Sequence, residues 1–212
     1  MRKINWLNHF LEFIVVLLGI LLAFQLNTCS ANKKQAKIIE THEQQLFEET
    51  ELNEANFDVA IKFSESNLNQ IDTLLRLLHS DGELAKINLL SIKLLNIGGL
   101  YIRKNAYRSL IETGDIRFMT DFKSKNEIIN LYEYYNWVEA TEEAFMKIYQ
   151  KNYFPYLNKN FDMARASVQE KEVYFNKEFI NSLSSYRFTL AMKLQKYKDG
   201  KKEIEKFLNN TK

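Results

Sequence analysis

The chain has 212 residues, 46% hydrophobic and 26% charged, enough for one domain with an appendage and too apolar for a disordered chain. One Pro and six Gly fall far below the roughly ten and fifteen of average usage, which excludes a turn-rich all-β architecture. A single cysteine excludes an internal disulfide framework and a cysteine-rich zinc site, and 29 Lys and Arg against 27 Asp and Glu leave no basic field for nucleic acid.

Residues 1–5 are a short leader with Arg2 and Lys3, and residues 6–28 read as a transmembrane helix. Phe13 to Phe24 carry no polar side chain, and Trp6 to Asn27 would span about 33 Å as a helix, enough for a hydrocarbon core of about 30 Å. Trp6 and His9 suit one interface, Asn27 and Thr28 the other. Two other readings compete. A cleaved signal segment, including a lipoprotein form ending at Cys29, is opposed by Thr28 before the cysteine and by Glu12 in the core. A buried helix of a soluble domain is opposed by three turns without a polar face. Lys33, Lys34 and Lys37 after the span nearly balance the leader. The short basic leader favours a cytoplasmic N-terminus and an extracytoplasmic bundle.

Glu12, Val16, Gly19 and Ala23 share one face of the span. Gly19 and Ala23 form a small-xxx-small pair that lets another helix approach, although such residues also face lipid. A carboxylate at this depth is costly. Glu12 therefore snorkels to the headgroups, sits at a helix contact, or binds a proton in a transport complex. Cys29 reads as an inert thiol, with intermolecular cross-linking or acylation as alternatives.

Beyond the span the pattern is all-α. Ala31 to His79 holds no Pro or Gly, and Ile39, Leu46, Phe57, Ile61, Leu68, Ile71, Leu75 and Leu78 keep helical phase, with Glu43, Thr50, Asn53 and Ser64 in the polar slots. Nothing breaks the chain between this helix and the span, so the membrane helix is expected to continue into it. Ser80-Asp81-Gly82 stops it. A second helix covers Glu83–Leu95. Asn105–Thr113 forms a third, capped by Gly114, and Asp115–Asp121 a turn. Ser124 and Glu127 have the form of a capping box opening a helix to about Asn152. Pro155 marks its end or a kink, and Asn158–Gln169 is irregular. A last helix covers about Asn176–Leu208, with Gly200 inside it at a cost of about 1 kcal/mol.

Three long amphipathic helices imply an antiparallel bundle over residues 29–212. Charge supports one pairing. Glu40 to Asp58 hold seven acids and no Lys or Arg; Lys193 to Lys206 hold six lysines and three acids. An antiparallel return would set the two stretches side by side. The alternative is two unrelated solvated faces.

No Glu-x-x-His precedes His9, His42 or His79, no H-E-x-x-H occurs, and neither a phosphate-cradling glycine loop nor a G-x-S-x-G elbow is present. No catalytic residue, cofactor or metal is therefore expected, and His42-Glu43 reads as a solvated pair. The densest polar and aromatic region surrounds Tyr107, Arg108 and Glu112, with Trp137 added from the next helix. Arg108 and Glu112 are spaced to pair. The region reads as an interaction surface or, more plainly, as a packed helix–turn–helix.

Two blocks resemble a bacterial family of small single-span membrane proteins classed as a domain of unknown function. Glu12, Gly19, Ala23, Gln25 and Asn27 match its Glu, six apolar residues, Gly-Ile-Leu-Ile-Ala-x-Gln-Ile-Asn. Ala106, Tyr107, Leu110 and Gly114 match its later Ala-Tyr-x-x-Leu-x-x-x-Gly. Thr28-Cys29 stands where the family has Asn-Trp, which argues against a shared lipidation site. The resemblance implies a retained anchor in the bacterial inner membrane and no established activity. The leading expectation is a non-enzymatic scaffold or accessory subunit, partnered by the bilayer and by itself or another membrane protein. Alternatives are a proton- or ion-coupled machine using Glu12 and a tethered ligand sensor at Tyr107 and Trp137.

Overall fold

A computed structural model describes residues 6–168 and 170–210, so the leader with Arg2 and Lys3 lies outside the described residues. The fold is all-α. The helices are α1 (Trp6–His79), α2 (Leu84–Lys93), α3 (Asn105–Glu112), α4 (Phe122–Lys151), α5 (Tyr153–Asn160), α6 (Glu172–Phe175) and α7 (Lys177–Asn210), with a short 3-10 helix at Asp115–Phe118.

α1 has 74 residues, about 110 Å of helix. Its apolar N-terminal part contains an 18-residue window of mean hydropathy 2.2, none of it buried inside the protein. Ile39 is the first residue to pack against the core and His42 the first described residue to be buried, so residues 6–38, about 50 Å, stand clear of the bundle. That overturns the reading of the apolar run as a core helix of a soluble domain.

From Leu46 onward α1 is one wall of a bundle with α4 and α7. The phase read from the sequence holds: Leu46, Phe57, Ile71 and Leu78 are buried, and Thr50, Asn53 and Ser64 are buried on the same face. α7 runs antiparallel to α1. Lys201 meets Asp58 at 2.5 Å, Lys198 meets Glu65 at 2.7 Å and Arg187 meets Asp72 at 2.5 Å. Of these three pairs only Lys201–Asp58 joins the two stretches expected to face each other; the other two lie beyond the acidic run, so the antiparallel return forms but its charge pairing is displaced along α1. Such partly exposed pairs contribute about 0.2–1 kcal/mol each and fix register more than stability.

Local caps differ from the expected ones. Asp121, not Ser124, opens α4: its carboxylate accepts from the backbone N–H of Lys123 (3.0 Å) and Ser124 (3.3 Å). Glu127 instead accepts from the Asn210 side chain at 2.9 Å. An aspartate ahead of the serine takes the cap because the carboxylate is the stronger acceptor. Pro155 marks the break between α4 and α5, as expected: α4 stops at Lys151, the residue whose carbonyl the proline ring would meet in a continuing helix. It sits in the first turn of α5, where its missing N–H costs no helical bond. The irregular stretch begins only at Phe161, and the short α6 had no periodic signal in four residues. Gly114 does take the left-handed conformation (φ 73°) expected of it.

Two apolar cores stack along the bundle. The first, nearer the free part of α1, gathers Leu46, Phe57, Leu110, Leu131, Tyr132, Tyr135, Tyr197 and Ile204. The second gathers Ile71, Leu74, Ile87, Phe145, Tyr153, Tyr174, Phe179 and Tyr186. Between them on α1 lie Ser64 and Asn67, both buried; on α4 lies Glu142, and on α7 Lys193.

Candidate functional site

The free part of α1 displays the face read from the sequence. Glu12, Val16, Gly19 and Ala23 are all exposed, and a Cβ on Gly19 would meet nothing within 4 Å. The backbone is therefore open to close approach there. Glu12 has an intrahelical partner that the sequence reading missed: His9 Nδ1 lies 3.2 Å from its carboxylate, one turn earlier. Cys29 is exposed just beyond the apolar run.

The four residues of the second candidate surface are not gathered into one cluster. Tyr107 stacks on Tyr132, with ring centroids 4.1 Å apart. Trp137 packs edge-on against Tyr134 and takes the Lys196 ammonium over its ring at 3.3 Å. The two rings share no partner. Arg108 and Glu112 are both exposed, and no ion pair joins them among the described residues. Their spacing permits a pair, but two solvated side chains gain little by holding one geometry.

His42 is not part of a solvated pair. It is 8% exposed, and its Nε2 lies 3.0 Å from the Asp115 carboxylate, which ties α1 to the 3-10 helix where α1 enters the bundle. The Thr113 hydroxyl and His42 together hold the Asp115 carboxyl below its ordinary range. Glu43, turned elsewhere, is raised by partial burial and by the negative charge of Asp121 and Glu40. The sequence could not separate the two because only the three-dimensional path of the 3-10 helix brings Asp115 to His42.

The most constructed polar region is one that sequence reasoning did not single out. The segment between α2 and α3, residues 96–104, has no regular structure and crosses the bundle between the two cores. Side chains from three helices satisfy its backbone. Asn67 donates to Asn96 O (2.9 Å), and Asn56 to Tyr101 O (2.9 Å). Asn53 holds both sides of Arg103, donating to its carbonyl (2.9 Å) and accepting from its N–H (2.8 Å). Glu142 accepts from Leu100 N–H (3.0 Å) and from the Tyr197 hydroxyl. Lys193 Nζ points to Gly98 O at 3.4 Å and lies 4.1 Å over the Phe145 ring. Just beyond the segment, Glu49 accepts from Ala106 N–H (3.0 Å) and from the Tyr132 hydroxyl (2.6 Å).

Burial shapes the acid–base properties of this layer. The Lys193 side chain is 2% exposed, and burial lowers its pKa to about 8 against the opposing pull of Glu142. Burial and the Glu142 hydrogen bond push the Tyr197 hydroxyl well above its ordinary value. A lysine this enclosed meets no solvent-borne substrate. The layer instead fixes the path of the crossing segment, because each unmet backbone group here would cost about 1–3 kcal/mol. The signal that could have found it is phase: Lys193 falls on the apolar stripe of Tyr186, Leu190 and Tyr197.

Among the described residues no group of three or more His, Cys, Asp or Glu is placed to hold a metal ion. Comparison with known protein families, curated proteins and solved structures returned no match.

Proposed function

We propose that this protein is a single-span membrane-anchored scaffold or accessory subunit that performs no chemistry of its own. The observation that carries the reading is α1. One helix bears an unburied apolar stretch long enough to cross a bilayer and then forms a wall of the bundle. In this reading the span continues directly into the bundle, and the rigid helix holds the bundle at a fixed distance from the bilayer. The N-terminus is cytoplasmic and the bundle extracytoplasmic, in the inner membrane of a bacterium. Membership in the single-span family that the two sequence blocks resemble belongs to the same proposal.

The face of Glu12, Val16, Gly19 and Ala23 packs against another copy or another membrane protein. Exposed Gly19 supports this, since a small residue lets backbones come close in lipid. Purification of the full chain in mild detergent, with intact masses of all co-eluting species, tests it. A complex of fixed ratio is expected, and Gly19→Leu should dissociate it. A monomer without partners would contradict the proposal. Glu12 beside His9 forms a local pair at the edge of the apolar run, and no geometry favours the energy-coupled alternative over it.

A further inference from the structure

At the end of the bundle opposite the apolar segment, the C-terminus of α4, the helix α5 and the first turns of α7 border a cleft of about 360 Å³. The antiparallel register places it there: Arg187 pairs with Asp72, and the cleft residues of α7 precede Arg187. The size falls within the ~300–1,000 Å³ of small-molecule sites.

The floor is fixed. Tyr156 is buried and its hydroxyl donates to Val173 O at 2.6 Å; Ser182 is buried and donates to Phe179 O at 2.8 Å. The walls are unspent. Among the described residues Lys151 and Lys159 form no ion pair, and the side chains of Asn152, Asn181 and Ser185 form no hydrogen bond. Glu178 is the single carboxylate of the lining. Among the described residues, two ammonium groups without an ion-pair partner and three amide or hydroxyl groups without a hydrogen bond thus line one small cleft with one carboxylate.

We propose that this cleft binds an anionic polyhydroxyl compound of monosaccharide size, a sugar acid or sugar phosphate. The lysines meet the anionic group, and the amides and Ser185 meet ring hydroxyls, each of which both donates and accepts. Pro155 and Tyr156 add apolar surface to the lining, which the C–H face of a sugar ring can cover. The inference goes beyond the scaffold reading and does not depend on it, because the cleft is far from the apolar segment.

The test is calorimetric titration of the full chain in detergent with glucuronate and with glucose 6-phosphate, beside neutral glucose and inorganic phosphate. Saturable binding of either anionic sugar is expected, and which one binds identifies the anionic group. Neutral glucose and phosphate alone should bind at least about tenfold more weakly, the loss of one charge-assisted or several neutral hydrogen bonds. Lys151→Ala and Lys159→Ala should each weaken binding about tenfold, and Asn181→Ala less. Both lysines are exposed, so helix content should not change. Failure of both anionic sugars to bind, equal binding of phosphate or glucose, or indifference to the double lysine variant would overturn the proposal.

Discussion

Lys193 on α7 and Glu142 on α4 approach to 3.9 Å in the polar layer that divides the two apolar cores. Glu142 also accepts from Leu100 N–H and Tyr197, so it holds three groups at once. Glu142→Leu leaves all three without that partner and should destabilise the bundle by about 3–5 kcal/mol. Lys193→Met relieves the cost of a buried charge but leaves the Gly98 carbonyl without its donor, and should cost less, about 1–3 kcal/mol. Urea unfolding of both variants checks the asymmetry.

Stability should also follow pH through this layer. The Lys193 ammonium titrates near 8 in the folded chain and near 10.5 when exposed. Between those values the unfolded chain binds more protons, so raising the pH through that window favours folding. Tyr149 and Tyr174 act oppositely at the top of it. Burial pushes each up to about 12 from 10.0, so their contribution is lost once unfolded phenols ionise above about pH 10. A stability maximum between about pH 8 and 10 is expected, with its rising limb absent in Lys193→Met. Urea midpoints measured across pH 7–11 read it directly.

The crossing segment should depend on one amide. Asn53→Ala removes both bonds to Arg103 and should cost about 1–3 kcal/mol, since a half-buried N–H and C=O lose their partners. Hydrogen exchange at the Arg103 amide should accelerate more than elsewhere. Unchanged exchange there would contradict the clamp.

Gly200 carries an expectation opposite to helix propensity. An alanine in a helix normally gains about 1 kcal/mol over glycine. Here its Cβ would lie 2.6 Å from the Phe57 ring, which is fully buried and packed against Tyr135 and Tyr197. Gly200→Ala should therefore destabilise by about 1–3 kcal/mol, read by thermal unfolding.

At the neck of the bundle, Asp115 reports on its neighbours. Thr113→Val and His42→Ala should each raise its pKa, because the Thr113 hydroxyl bond and the His42 bond and charge all lower it. The benefit of this carboxylate is present above its ordinary range and lost as pH falls through its lowered value. An NMR titration of the Asp115 side chain distinguishes the two contributions.

Long periodic elements were legible in the sequence, and long-range polar placement was not. Leu46, Phe57, Ile71 and Leu78 announce the buried face of α1 by spacing alone. The antiparallel return of α7 was visible as charge, because the sequence holds acids on one helix and lysines on the other. Asn53, Asn67 and Glu142 looked like ordinary polar residues, since their partners are backbone groups of a segment with no periodicity. His42 misled for the same reason: Asp115 lies 73 positions away. Gly200 read as a weak point in α7, whereas it admits the Phe57 ring. The two-ring surface at Tyr107 and Trp137 followed from density along the chain, but α4 turns Tyr132 and Tyr134 to different neighbours.

In the proposed function α1 is a retained membrane anchor continuous with the bundle. The most direct test is the intact mass of the protein recovered from alkaline-washed membranes. The uncleaved chain of 25.1 kDa is expected in the membrane fraction, released by detergent alone. A shortened chain beginning near Cys29, or a full chain freed by the alkaline wash, would contradict it.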